Sequence, residues 1–270
     1  MARAGACRRP QFCFAFGGGL PQPFGTMAFL SVAYRETITR PAEARGKFVR
    51  SGPDRPRYGD IAVRVEPMHR GGGFEVVNAM EPGRIPVDRV PDAVQGIYET
   101  AEEGILAGFP LVDVRVVLTD GTFHAHHSSA LSFRIASSIA LRDAVLAAEP
   151  VVLAPVAKLE IPVPRAALHQ LQREISRMKG LVVSSEEYDH DRFRVRVVVG
   201  LANLVAAEPG AVNGHTTPPP EGGQTPPSGM ATVFPFNWQE RFSLMLSHYE
   251  QADPELQRRL VAEHRHNLGE

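Results

Sequence analysis

The chain has 270 residues, 43% of them hydrophobic, and 29 basic residues against 30 acidic ones leave a net charge of -1. That length carries one large or two ordinary domains, while a total charge near zero excludes a uniformly basic nucleic-acid binder. No apolar run approaches the roughly 18 to 20 residues that a membrane-spanning helix needs, so no membrane partner is expected. Cys7 and Cys13 are the two cysteines. They exclude a disulfide scaffold and a self-contained zinc module, and they fit a reducing compartment.

Residues 1–29 have no periodicity, contain Gly17-Gly18-Gly19 and several prolines, and carry no acid. They read as a disordered leader, with an organellar transit peptide as the alternative. From Ser31, SVAYRETI alternates as a strand. Residues 35–70 hold nine basic side chains (Arg35, Arg40, Arg45, Lys47, Arg50, Arg55, Arg57, Arg64, Arg70) against five acids. Such a local excess suits either phosphate neutralisation or a solvated charged face.

Phe74 to Met80 reads as a strand, and Val90, Val94, Ile97, Ala101 and Ile105 set a helical stripe that Gly108 ends. Alternation at Val112, Val114, Val116 and Leu118 predicts a strand with one buried face and with Asp113 and Arg115 on the other. A Gly-containing turn and a loop with His124, His126 and His127 follow. Ser128 or Ser129 then caps a helix. In it Leu131, Ile135 and Ile139 form the apolar row, Ala136, Ala140 and Ala144 sit beside it, and Arg134, Ser138 and Arg142 line the polar edge. The three histidines invite a metal reading. Alternate and adjacent positions on one loop converge poorly on an ion, however, and no Cys, Glu or helical His pair completes a set, so no metal ligand is assigned.

Beyond Pro150 the register changes. Lys158 to Val163 opens a strand, Leu168, Leu171, Ile175 and Met178 make a helical row ended by Gly180, and two strands follow, the second alternating at Phe193, Val195, Val197 and Val199. Arg192, Arg194 and Arg196 share its other face, where RNA contact and simple solvation are equal readings. The order β-α-β-β makes three quarters of a ferredoxin-like fold. Pro218-Pro219-Pro220, Gly222-Gly223 and Pro226-Pro227 make 207–230 a disordered linker that removes a covering helix. Val233 to Trp238 is expected to fill part of the exposed sheet, with Trp238 as anchor. A strand from Arg241 to Glu250 and a helix opened by Asp253-Pro254-Glu255 complete the chain.

The run Asp120-Gly121-Thr122-Phe123-His124-Ala125-His126-His127-Ser128-Ser129, with Phe133, Ile135, Ala136 and Ser137 after it, resembles the fourth domain of translation elongation factor G. So do Ser51, Gly52, Arg55, Tyr58 and Gly59 in the first tip loop, Ile85-Pro86 with Pro91-Asp92-Ala93-Val94, and Phe109-Pro110 with Val112-Asp113. The likeness runs from Val32 to Val199. It implies an α+β chain: a ribosomal protein S5 domain 2-like domain (domain IV) over 30–154, then an incomplete ferredoxin-like domain V over 155–250, then a C-terminal helix over 251–270. Departures are Pro53, Asp54 and Pro56 in the first loop and Ala125 and His127 where the family has acids in the second.

By that resemblance Ser51, Gly52, Arg55, Arg57, Tyr58, Gly59, His124, His126, His127, Ser128 and Ser129 are the expected ribosome- or RNA-contacting residues, with His124 at the tip histidine that reaches the small-subunit decoding region, transfer RNA and messenger. No Gly-x-x-x-x-Gly-Lys-Ser/Thr loop occurs, so neither GTPase activity nor a cofactor is expected of this chain. GTP would belong to a GTPase part missing here or carried on a separate chain. The implied function is a translocation-type, ribosome-binding protein of the cytoplasm, or of an organellar matrix. Two other readings stand beside it: a degenerate relative without activity, and a metal-dependent hydrolase built on the His124 loop.

Overall fold

The computed structural model describes residues 32–50, 57–206 and 243–269. The readings of the 1–29 leader, both cysteines, Ser51 to Pro56, the 207–230 linker, the Val233 to Trp238 segment and the first two residues of the strand expected from Arg241 lie outside them.

Two sheets organise the described residues. The first takes β2 (Ala42–Arg50), β3 (Arg57–Pro67), β5 (Val114–Thr122) and β4 (Phe74–Asn78) in the order β2-β3-β5-β4. Its first two pairings are antiparallel and β4 runs parallel to β5. Two helices, α1 (Val90–Glu103) and α2 (Ala130–Ala147), supply the apolar cover. Ile61, Val63, Val65, Val114, Val116 and Leu118 face Ile97, Phe133, Ala136, Ala140 and Leu141 in one core, each of these eleven side chains fully buried. The outer face of β2 and β3 carries Arg45, Lys47, Tyr58 and Asp60, as the period of two requires.

The approach of α2 to the sheet is set by small residues. A Cβ on Gly46 would lie 2.1 Å from the Ala136 carbonyl oxygen, and one on Gly59 would lie 2.3 Å from that of Ser132. Consequently the buried side of α2 is Phe133, Ala136, Ser137, Ala140, Leu141, Ala144 and Val145, while Leu131 is 43% exposed and Ile135 and Ile139 are half-buried. This corrects the expected Leu131-Ile135-Ile139 row: close packing on glycine selects alanine at the contact, and Leu131, Ile135 and Ile139 fall outside the fully buried face, which Phe133, Leu141 and Val145 fill instead. Arg40 closes the other end of α2, its guanidinium donating to the Ala147 carbonyl at 2.9 and 3.1 Å.

Two further expectations change. α1 stops at Glu103, where Gly104 takes φ 80, and Gly108 belongs to the next turn. Asp113 is 4% exposed, left-handed at φ 59, and precedes the strand instead of alternating within it. Its carboxylate accepts from the Gly71 and Gly73 amides at 3.0 and 3.2 Å, fastening the turn before β4.

The second sheet is built on β6 (Pro150–Pro164). Residues 156–160 of β6 pair with both β8 (Arg192–Gly200) and β9 (Ser243–Gln251), which must therefore lie on its opposite edges, and β7 (Leu181–Asp189) lies beyond β8. α3 (Leu168–Arg177) buries Leu171 and Ile175 on the face of Leu159, Val195 and Val197, and it ends with Lys179, not Gly180, in the left-handed position. α4 (Leu201–Ala206) stands where a ferredoxin-like fold places its second helix and is one and a half turns long. α5 (Pro254–Leu268) follows β9, with Asp253 accepting from the Glu255 amide as its N-cap. The architecture is thus α+β, a four-stranded sheet covered by two helices followed by a ferredoxin-like unit whose second helix is six residues long among the described residues.

β1 (Arg35–Ile38) pairs with the first four residues of β6, so the entering strand belongs to the second sheet. Glu36 on β1 is completely buried. Its two carboxylate oxygens accept from the backbone amides of Ile105, Leu106, Ala107 and Phe109 at 2.7–3.0 Å.

Candidate nucleic-acid interface

Antiparallel pairing of Asp60 with Thr122 and of Arg50 with Arg57 puts the β2-β3 loop and the β5-α2 loop at the same end of the first sheet. The Tyr58 amide donates to the His127 carbonyl at 2.8 Å and ties the start of β3 to the β5-α2 loop. Within the second loop, the amides of His127 and Ser128 both donate to the His124 carbonyl, at 3.1 and 2.9 Å, and the His124 amide donates to Ser128 Oγ at 2.9 Å. The turn closes on itself. Phe123 to His127 are therefore presented to solvent on a defined backbone.

Ser129, extended at φ -125, accepts from the Ser132 amide at 3.3 Å and is the N-cap of α2. Of the two serines expected at that cap, Ser129 serves the helix and Ser128 serves the loop.

The His124 ring stands edge to face against Tyr58, with centroids 4.5 Å apart and planes at 78°. Lys47 Nζ lies 5.6 Å from the centroid of the same tyrosine. His126 and His127 are exposed beside it, with ring centroids 6.5 Å apart. Among the described residues no three His, Cys, Asp or Glu side chains converge on a point that could hold a metal.

Beneath the tyrosine lies a polar cluster that sequence reasoning missed. Asp60 accepts from Arg45 at 2.7 and 3.1 Å, from Thr122 Oγ1 at 2.9 Å and from the Tyr58 hydroxyl at 3.2 Å. Tyr58 Oη and Thr122 Oγ1 are 2.6 Å apart. Burial by itself would raise the Asp60 carboxyl; the hydrogen bonds from Arg45, Thr122 and Tyr58 and the guanidinium charge outweigh it and hold the group below its ordinary value. The same carboxylate pushes Arg45 up. Tyr58 and Asp60, two apart on a strand, share a face that could be read from the sequence; the partner Thr122, 62 residues on, could be found only from the pairing.

Charge at this end follows from which basic side chains already have partners. Arg40 pairs with Glu149, Arg45 with Asp60, Arg64 with Glu66 and Arg70 with Asp113. Lys47, Arg50 and Arg57 have no carboxylate partner among the described residues, and Arg50 sits directly opposite Arg57 in the ladder. Like charges facing each other on a ladder are unfavourable unless an anion approaches. In the second sheet, Arg196 is bound to Glu160 at 2.8 Å and Glu186 at 3.0 Å, and Arg194 covers the Tyr188 ring at 5.1 Å.

Of the expected site residues, Arg57, Tyr58 and Gly59 begin β3, and His124, His126, His127, Ser128 and Ser129 form the adjoining loop. Ser51, Gly52 and Arg55 lie outside the described residues. Gly59 faces α2 and has a packing role, as its contact with Ser132 shows.

Comparison with known proteins bears on residues 30–149, which match the family model described as elongation factor G, domain IV. The elongation factor G of Dehalococcoides mccartyi is 41% identical over 155 residues, covering 57% of this chain and 22% of that protein. A crystal structure of a protein from Thermus thermophilus superposes with a TM-score of 0.69 at 26% identity, over 87% of this chain and 32% of that one. The chain thus spans about a fifth to a third of the length of these relatives. Residues 30–149 thus match domain IV of elongation factor G, and the chain is similar to a part of that factor.

Proposed function

We propose that this chain binds the ribosome through the end of its first sheet and acts in the cytoplasm as a translocation-type module, with His124 directed to the small-subunit decoding region and its transfer RNA and messenger. The observation that carries this reading is the juxtaposition of an exposed imidazole seated on Tyr58 with Lys47, Arg50 and Arg57, cations without carboxylate partners among the described residues. A flat ring that can stack and donate, flanked by cations, suits unpaired RNA. Nucleotide hydrolysis is assigned to a GTPase part outside this chain.

Co-sedimentation with isolated small subunits across a salt series tests the proposal. The expected result is saturable binding whose log affinity falls linearly with log salt, a shallower slope for Arg57→Ala, and a salt-independent loss for His124→Ala. A folded chain that binds no particle at low salt overturns it and leaves the degenerate reading.

A further inference from the structure

The loop that presents His124 is exposed from Phe123 to His127, yet the ring it carries rests on one of the most constrained side chains of the sheet. Tyr58 is held at both ends. Its amide is bound to His127, and its hydroxyl lies between Thr122 and Asp60. Asp60 is in turn gripped by both nitrogens of one edge of Arg45, whose remaining terminal nitrogen reaches Asp120 at 3.1 Å. Arg84 approaches Asp120 from the other side at 3.4 Å.

No helix among the described residues covers this face, and Asp60 is nevertheless 5% exposed. Its burial is produced by the side chains that bind it. A buried ion pair contributes little net stability compared with apolar packing, but it orients whatever it holds. Here the object held is the aromatic ring under the tip imidazole.

We infer that Arg45, Asp60 and Thr122 form a positioning device that acts through Tyr58 to fix the orientation in which the His124 imidazole is presented. The inference rests on the reading of this tip as an RNA-binding surface. Asp60 and Thr122 bind the Tyr58 hydroxyl, and Arg45 is engaged by Asp60 and Asp120. They lower the entropy lost when His124 engages it, because the ring is already seated. Loss of the device is expected to weaken binding about three- to tenfold, the range of an edge-to-face aromatic contact.

The test uses the full chain and two readouts. In the first, the His124 ring protons, assigned by comparison with His124→Gln, report the ring current of Tyr58. Tyr58→Leu abolishes that displacement. Thr122→Val moves the signals part of the way, and Thr122→Ser, which keeps the hydroxyl, restores them. In the second, small-subunit affinity is measured in a double-mutant cycle. Thr122→Val weakens binding about three- to tenfold when His124 is present and has no further effect in His124→Ala. Urea midpoints establish that each variant is folded.

Ring signals that stay in place in Thr122→Val overturn the inference, as does a Thr122→Val loss that persists in full without His124. A wild-type chain that fails to bind subunits ends the proposed function, while the ring signals still decide whether the device seats the imidazole.

Discussion

Gly59 has no room for a side chain, and the reason is the backbone of α2: any Cβ would meet the Ser132 carbonyl oxygen at 2.3 Å. Because the obstacle is main chain, it cannot swing aside. Gly59→Ala is expected to destabilise by about 3 kcal/mol, the upper end of overpacking effects, with the loss read as a lower urea midpoint at constant slope. Asp60 supplies a pH-dependent prediction at the same scale. Its folded value is below the ordinary 3.8, so the stability it contributes is complete above 3.8 and is lost as pH falls through the lower, folded value. The melting temperature of wild type should exceed that of Asp60→Asn at neutral pH, and the gap should close below about pH 3.8. The Tyr58-Asp60 alternation was visible in the residues. The carboxylate's burial was not, because it depends on Arg45 and Thr122 arriving from two other strands.

At the scale of the element, α2 shows how a correct helix can be given the wrong face. Its length and serine cap were legible, and its residues alternate at helical spacing. Hydrophobic size pointed to Leu131, Ile135 and Ile139, yet the helix lies on glycines at 46 and 59 and beside Gly96 of α1, whose Cβ would stand 2.4 Å from the Arg134 carbonyl oxygen. Two close approaches on two sides demand small residues on both. The consequence is testable by contrast. Leu141→Ala, at a fully buried position, should cost about 2 to 5 kcal/mol, and Leu131→Ala, at a position 43% exposed, less than about 1 kcal/mol, both from denaturant unfolding. The end of α1 teaches a related point. Gly104 and Gly108 both have positive φ, and a glycine by itself does not say which of two turns it serves.

Across the whole molecule, β6 is one strand of 15 residues that leaves α2, pairs with β1 and then forms the centre of the second sheet. The junction is sealed from both sides. Ala107, Val152 and Ala252 form a small core with Tyr34, Phe109, Leu256 and Leu260, and the Val152 amide donates to the Gln257 side chain of α5 at 3.1 Å. Glu36 is the polar counterpart, a carboxylate enclosed by four amides of the 105–109 turn. Glu36→Gln keeps the shape but aims an N–H pair at amide donors. It is expected to cost about 3 kcal/mol, a lost charge-assisted bond plus unsatisfied donors, and to open the 104–109 turn to limited proteolysis before global unfolding. Proteolysis indistinguishable from wild type would show that the turn is held by packing alone.

The sequence by itself determined most of the order of strands and helices, though not the short α4 where a helix was expected to be missing, together with the family likeness of the segment around His124 and the local excess of basic residues before Arg70. Those properties are written in spacing, capping and composition, which are local. Tertiary structure decided the rest: which face of α2 is buried, that Asp113 fastens a turn instead of lining a strand, that β1 joins the second sheet, and that Arg40, Arg45, Arg64 and Arg70 have partners while Lys47, Arg50 and Arg57 stand free of carboxylates among the described residues. Each of these turns on contacts between residues tens of positions apart, and no local pattern encodes which carboxylate or backbone will be waiting there.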